Sequence, residues 1–288
     1  MSSQRKYLLL LFPSIIVLLF LSIYPLLEAI NLSVHDLDLR RPGKSRFIGL
    51  GNFIKLFCDN RFFNSLKVSF IYATASTIFS VLIGLVLALF VRENFKGKIR
   101  GLISFLLLLP FVVPRVSAAF MWKFLYYPII GVYNYFLSLI KLGPIAFLAS
   151  PSLALPSIIA VEVWQWSGFI AILIMSSLEL MPSDQIEAAA LDGADRLQLL
   201  RYIILPFLKP TLVFIILLRW IEGLRSFDLI FNMTRGGPGI STETLDLYAY
   251  NIGIGVGTRI SYAAAMSLIM LLITIVITSV VRKWFLEK

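Results

Sequence analysis

The chain lacks the residues from which most soluble active sites are built. Cys58 is its only cysteine and His35 its only histidine. No internal disulfide can form, and a histidine-based metal site cannot be assembled. No run of Cys, His and acidic residues stands at metal-ligand spacing. Charge is scarce as well: 15% of the 288 residues are Asp, Glu, Lys or Arg, against 59% hydrophobic. Soluble domains carry about a quarter charged residues. A water-soluble globule of this composition would expose far too much apolar surface. Composition therefore excludes a soluble enzyme, a disordered regulator and a nucleic-acid-binding domain. It implies an all-α polytopic membrane protein. The net charge of +10 then belongs to basic residues that flank spans and meet lipid headgroups, not to nucleic-acid binding.

A nucleotide site is also missing. Gly43-Lys44-Ser45 imitates the end of a P-loop, but the glycine needed five residues earlier is Asp38 and no strand precedes it. No inverted repeat relates the two halves, which weakens a secondary-transporter reading.

What is present is a series of apolar runs. Residues 7–30, 68–91, 101–122, 152–180, 207–231 and 261–281 are each long enough to span a bilayer. The first is too long for a cleaved signal region and is expected to be retained. The third is interrupted by Pro110 and Pro114. Residues 1–67 read as a first span followed by an extracytoplasmic loop, with Pro42-Gly43 as a turn and Gly51-Asn52-Phe53 and Phe62-Phe63 in surface amphipathic pieces. Residues 68–283 form the core, with a loop at 181–206, and 284–288 a cytoplasmic tail. Tyr126, Tyr127 and Pro128 suggest an interfacial belt, and Trp122, Trp220 and Trp284 suggest anchors at helix ends. Residues 232–259, with Gly236-Gly237-Pro238-Gly239, read as a re-entrant or surface loop. An even number of spans puts both termini on one side. The count of basic residues does not decide which, because seven of them lie in the 40–67 loop; the short flanks favour cytoplasmic termini.

The longest polar stretch between spans is 181–206. Pro182-Ser183-Asp184 opens a helix, and Asp184 with Glu187 has capping-box spacing. Glu187-Ala188-Ala189-Ala190-Leu191 is strongly helix-forming. Gly193 permits a C-cap or turn. A second helix carries Leu197, Leu200 and Ile204 on one face and ends before Pro206. An ordinary amphipathic connector would look much the same.

The pattern resembles a known one, however. Glu187-Ala188-Ala189, Asp192-Gly193-Ala194, Ile203, Leu205 and Pro206 fall at the spacing of the EAA loop of ABC importer permeases. Ser226-Phe227-Asp228, Thr234-Arg235-Gly236-Gly237-Pro238, Thr242-Glu243-Thr244, Gly51-Asn52-Phe53 and Tyr262-Ala263-Ala264-Ala265 resemble the carbohydrate-uptake branch, which includes the maltose and glycerol-phosphate permeases. The resemblance implies a type I ABC importer permease fold with a cytoplasmic helix-turn-helix coupling loop. It implies a multi-pass subunit of the cell membrane that imports a mono- or oligosaccharide. It implies as partners a second, different permease, two ATP-binding subunits that carry ATP and Mg, and an extracytoplasmic sugar-binding protein, with no cofactor on this chain. Glu187 would be the charged contact to the ATPase, Ala188 and Ala189 the close-packing face, Asp192 part of the motif and Gly193 its turn.

Charges inside spans are costly and usually face a cavity or a partner. Arg115 lies four residues after Phe111. Glu162, Gln165, Trp166 and Phe169 share one helix face, and Arg219, Glu222, Gly223 and Ser226 make a second stripe. Hydrogen-bonding groups for hydroxyls and flat rings for an apolar sugar face are what a sugar needs. In the carbohydrate-uptake permeases, positions matching these line the sugar site. This chain departs from that pattern by placing Arg115, Glu162 and Glu222 where uncharged residues are expected. The competing reading of the charges is structural: Arg115 paired with Glu162 or Glu222 would simply hold helices together. The competing function is a proton-coupled secondary transporter that uses Glu162 or Glu222.

Overall fold

The computed structural model describes residues 3–286 other than 42 and 44, with backbone alone at 3–10, 183, 190, 281 and 284–286. The expected Pro42-Gly43 turn, Lys44 of the P-loop look-alike, the side chain of Trp284 and the last two residues of the tail lie outside the described residues. The helices, in chain order, are α1 (Ser3–Ser33), α2 (Gly51–Phe57), α3 (Asn60–Asn94), α4 (Gly97–Val112), α5 (Arg115–Leu125), α6 (Val132–Leu139), α7 (Pro151–Glu179), α8 (Ser183–Leu191), α9 (Arg196–Leu199), α10 (Leu205–Leu224), α11 (Asp228–Met233), α12 (Leu245–Tyr250) and α13 (Ile260–Leu286). Among the described residues five helical stretches are long and apolar enough to cross a membrane, and the bent pair α4–α5 makes a sixth. The expected six-span all-α architecture is therefore present.

The chain divides into two compact units, Met1–Phe63 with Tyr248–Ile273, and Asn64–Leu247 with Thr274–Lys288. In the first, α1 is apolar on all sides and its described side chains are almost all exposed, the pattern of a helix that meets lipid. A two-residue antiparallel ladder follows, with His35 opposite Phe47 and Asp36 opposite Arg46. Asn52, expected at the surface, is buried: its amide donates to the carbonyls of Ser33 and His35, both at 2.8 Å. Asp59, just ahead of α3, accepts hydrogen bonds from the hydroxyls of Tyr248 (2.6 Å) and Tyr262 (2.8 Å). The 36–39 strip is tied to the start of α13, where the Leu37 N–H donates to Ser261 Oγ and the Leu39 N–H to the Thr258 carbonyl.

In the second unit α7 is the central element. Ile170, Ile174 and Leu178 pack with Leu208 and Ile215 of α10 in one apolar cluster. Ile158 and Val161 pack with Trp122, Tyr126 and Leu229 in another. Gly168 lets α4 approach closely: a Cβ there would stand 1.8 Å from the Leu107 carbonyl oxygen. The break between α4 and α5 has a local cause. Pro114 drives Val113 out of the helical region, to φ −64° and ψ 126°, and the two helices meet at 91°. Pro110, by contrast, is accommodated inside α4.

Three expectations are corrected here. Tyr126 is not interfacial but buried, within 5.4 Å (ring centroids) of Trp122; Trp122 is likewise core. Phe62 is buried while Phe63 is exposed. The expectation of a re-entrant or surface loop at 232–259 is not contradicted: Thr242 and Thr244 are fully buried and the Thr242 hydroxyl is bonded to Thr234 and to the Gly237 carbonyl.

Candidate functional site

The buried polar centre of the second unit is built on Glu162. Its side chain is fully buried in the middle of α7, where a lone carboxylate would be strongly disfavoured. Both oxygens are occupied. Oε1 accepts from Arg219 Nη2 at 3.0 Å and from Arg115 Nη2 at 3.2 Å. Oε2 accepts from the Tyr72 hydroxyl at 3.1 Å, and that hydroxyl in turn accepts from the Ser226 hydroxyl at 3.2 Å. Four segments thus meet at one side chain: α3, the first residue of α5, α7, and α10 with the residues just after it.

The neighbouring positions follow from helical spacing. Gln165, one turn on, donates from Nε2 to the Val113 carbonyl at 3.1 Å, so it satisfies a carbonyl freed by the α4–α5 break. Trp166 lies under the Arg219 guanidinium, 4.0 Å from ring centroid to Cζ, a close cation–π contact. Phe169 stacks on Phe111 at 4.2 Å, and Phe111 meets Trp166 edge-on at 5.0 Å. Gly223 allows α10 to touch α3, since a Cβ would come within 2.9 Å of the Ala73 Cα. Arg115 is the hub member that reaches open space, with 24% of its side chain exposed against none for Arg219. Arg219 Nε and Nη1 and Gln165 Oε1 are buried with no hydrogen-bond partner in the protein.

The structure thus brings together Phe111, Arg115, Glu162, Gln165, Trp166, Phe169, Arg219, Gly223 and Ser226. Glu222 is exposed and makes no hydrogen bond to the hub, though its charge acts on Arg115. Of the two pairings open to Arg115, with Glu162 or with Glu222, the one formed is with Glu162. Tyr72 was missed by the sequence reading. A signal existed, because Ser65, Ser69, Tyr72, Ser76 and Ser80 recur at helical spacing in α3 and all five are buried. Both oxygens of Glu162 are committed within the hub, and the proton-coupled reading finds no support.

The second place of interest is the elbow between α7 and α10. Helix α8 ends at Leu191, and Gly193 takes φ +78°, a conformation that side-chain-bearing residues disfavour. The Asp192 N–H donates to the Ala188 carbonyl and the Ala194 N–H to the Ala189 carbonyl, closing the helix end. A capping box opens α9, but it is not the expected one. The Asp195 side chain accepts from the Gln198 N–H at 2.7 Å, and the Gln198 side chain accepts from the Asp195 N–H at 2.8 Å; Asp184 lies in the first turn of α8 instead. Nor does the second helix stop before Pro206. It passes through a π turn at Leu200–Ile204 directly into α10, so the helix is widened where Pro206 donates no hydrogen bond. Glu187, Ala188, Asp192 and Gly193 are exposed and Ala189 half-buried.

Comparison with known proteins agrees with this architecture. A trehalose/maltose transport system permease protein of Thermococcus litoralis is 33% identical over 243 residues, 84% of this chain and 81% of that protein. A probable ABC transporter permease protein of Bacillus subtilis is 31% identical, over 99% of this chain and 98% of that one. A solved bacterial alginate ABC transporter, in complex with an alginate pentasaccharide-bound periplasmic protein, contains a chain that superposes with a TM-score of 0.85 at 25% identity, covering 97% of this chain and 94% of that one. Residues 46–285 match the family described as the binding-protein-dependent transport system inner membrane component. With apolar spans, a fold and an elbow that all agree, this multi-pass chain belongs to that family.

Proposed function

We propose that the chain is one permease subunit of an ATP-driven, binding-protein-dependent importer of a sugar, and that it couples the translocation pathway to partner ATPases through the 181–206 elbow. It is a transport subunit, not an enzyme, as its relatives are. ATP and Mg belong to two ATP-binding partner subunits. A second, different permease completes the pathway, and an extracytoplasmic sugar-binding protein delivers the substrate. Both termini are cytoplasmic, so that the elbow faces the ATPases.

The observation that carries this reading is the elbow itself. It is locked in shape by Gly193 and by the Asp195–Gln198 capping box, yet it leaves Leu191 89% and Leu197 71% exposed beside Glu187. A rigid turn with open leucines and an acidic residue suits a cytosolic protein groove. A sugar suits the hub for separate reasons. Arg219 and Gln165 hold buried hydrogen-bonding atoms with no protein partner, and Phe111, Trp166 and Phe169 supply flat apolar rings. The trehalose/maltose and alginate relatives point the same way.

ATP binding would close the ATPases, swing the elbow and rock the spans; the binding protein would then release sugar to the cavity. In the assembled complex, Gly193→Pro should abolish ATP-driven uptake, because proline cannot adopt the positive φ of that turn. Normal uptake by this variant would overturn the lever. A sugar screen by ATPase stimulation in the same complex would name the substrate, and Trp166→Ala should lower that stimulation.

A further inference from the structure

Between the end of α5 and the start of α7 the chain folds a hairpin that crosses nothing. Residues 124–150 contain one charged side chain, Lys141. The inside of the hairpin is held by one buried amide against an aromatic cluster of Trp122, Tyr126, Tyr133 and Phe147. Asn134 is buried, donates to the carbonyls of Tyr127 (3.3 Å) and Ile145 (3.1 Å), and accepts from the Ile145 N–H at 2.7 Å. Gly131 is confined as well: a Cβ there would stand 2.3 Å from the Tyr127 carbonyl oxygen. The segment is therefore a defined structure, not a loose loop.

Its outside is apolar and open. Ile129 is 85% and Phe136 60% exposed, and Ile130, Leu139 and Ile140 are exposed too. Tyr127 and Tyr135 stand among them, while Tyr133 stacks inward on Trp122. A contiguous face of this kind requires a cover. A water-soluble protein partner would normally meet a rim of polar and charged residues, and this face offers almost none. Exposed Phe120 and Phe124 precede it on α5, the second half of the bent apolar pair. Because the hairpin joins the bent apolar pair α4–α5 to the apolar span α7, it lies where spans meet headgroups. Tyrosines and a lone lysine on an apolar body are what that depth favours.

We propose that residues 127–142 form an interfacial membrane anchor whose apolar face lies in the lipid at the headgroup–acyl boundary. The anchor holds the far end of α5 at a fixed depth, opposite the end that carries Arg115 and the 91° break. This assignment does not depend on which side of the membrane the hairpin faces, nor on the identity of the substrate.

The test uses the full-length chain, purified with its partner subunits and reconstituted into phosphatidylethanolamine–phosphatidylglycerol vesicles. On a Cys58→Ser background, single labelling sites Ile129→Cys and Phe136→Cys receive a nitroxide. Phe214→Cys, on the exposed face of α10, serves as the lipid reference, and the free nitroxide in buffer serves as the aqueous one. The expected result is frequent collision with oxygen and loss of collision with a water-soluble nickel chelate at 129 and 136, as at 214. Frequent nickel collision would place the hairpin in water, and loss of both collisions would place it under protein; either overturns the proposal. Should the labelled variants fail to fold, a phospholipid bearing a photoactivated carbene should label the 124–143 peptide of the unmodified protein. No labelling there would also overturn the anchor.

Discussion

At the scale of single residues, Glu162 decides most of what the spans can do. It is the one carboxylate facing two guanidinium groups, of which Arg219 is fully buried and Arg115 partly exposed, so the cost of each deletion depends on what is left behind. Glu162→Gln leaves Arg115 and Arg219 facing each other without a counter-charge. Breaking a buried pair in this way costs about 3–5 kcal/mol. Tyr72→Phe removes one hydrogen bond to a carboxylate that keeps its other partners, and should cost roughly 1–3 kcal/mol. Thermal unfolding of the purified subunit should rank Glu162→Gln well below Tyr72→Phe; equal midpoints would mean that the hub does not carry this load. Asp59 makes a different prediction. Burial raises its pKa, but hydrogen bonds from Tyr248, Tyr262 and the N–H groups of Arg61 and Phe62 outweigh burial and hold it below the usual carboxylate range. A carboxylate depressed on folding stabilises above its unfolded pKa, near 4, and that contribution is lost as pH falls through the lower folded value. The wild type should therefore lose stability on acidification below about pH 4 more steeply than Asp59→Asn, and parallel curves would refute the assignment. Glu162 and Arg115 were legible in the sequence because a charge inside an apolar run has no other excuse. Tyr72 was not, since an aromatic in such a run passes for core and only its serine neighbours betray a polar face.

At the scale of elements, composition and run length were enough for the spans, and proline chemistry was enough to locate the break after α4. The 91° angle was not legible, because it is set by what α5 packs against, including Ala118 and Ala119 at full burial. The continuation of α9 into α10 was hidden for the opposite reason: Pro206 reads as a stop, and only the π turn before it shows how the helix survives. The buried amide inside the 127–142 hairpin was equally hidden, because Asn134 finds its partners eleven residues away. Close helix packing was also beyond the sequence, and it yields a paired test. Gly168→Ala must push α4 away from α7, since the added Cβ would meet the Leu107 carbonyl at 1.8 Å. Overpacking of this kind costs about 1–3 kcal/mol or more. Gly101→Ala, in α4 with nothing within 4 Å of the added atom, should instead stabilise the helix by roughly 0.5–1 kcal/mol. Opposite shifts in the unfolding midpoint are expected. A neutral Gly168→Ala would mean that the two helices are not in backbone contact.

At the scale of the whole molecule, a permease subunit has no power source of its own, so its defining property is a binding energy shared with a partner. That energy can be read without measuring transport. A partner that binds the folded subunit stabilises it by RT ln(1 + [L]/Kd), about 2.7 kcal/mol when the partner is present at a hundred times its dissociation constant. If the ATPase grips the elbow, adding it should raise the unfolding midpoint of the permease, and the rise should depend on Glu187. Glu187 is exposed and forms no ion pair or side-chain hydrogen bond among the described residues, so Glu187→Lys should leave the midpoint of the isolated subunit unchanged. In the presence of the ATPase the same substitution should remove most of the rise, because a reversed charge at the contact raises the dissociation constant. The fold and the grip are separated by this comparison. A fall in both midpoints would make Glu187 a structural residue, whereas an undiminished rise would show that the ATPase binds elsewhere and that the elbow is not the lever.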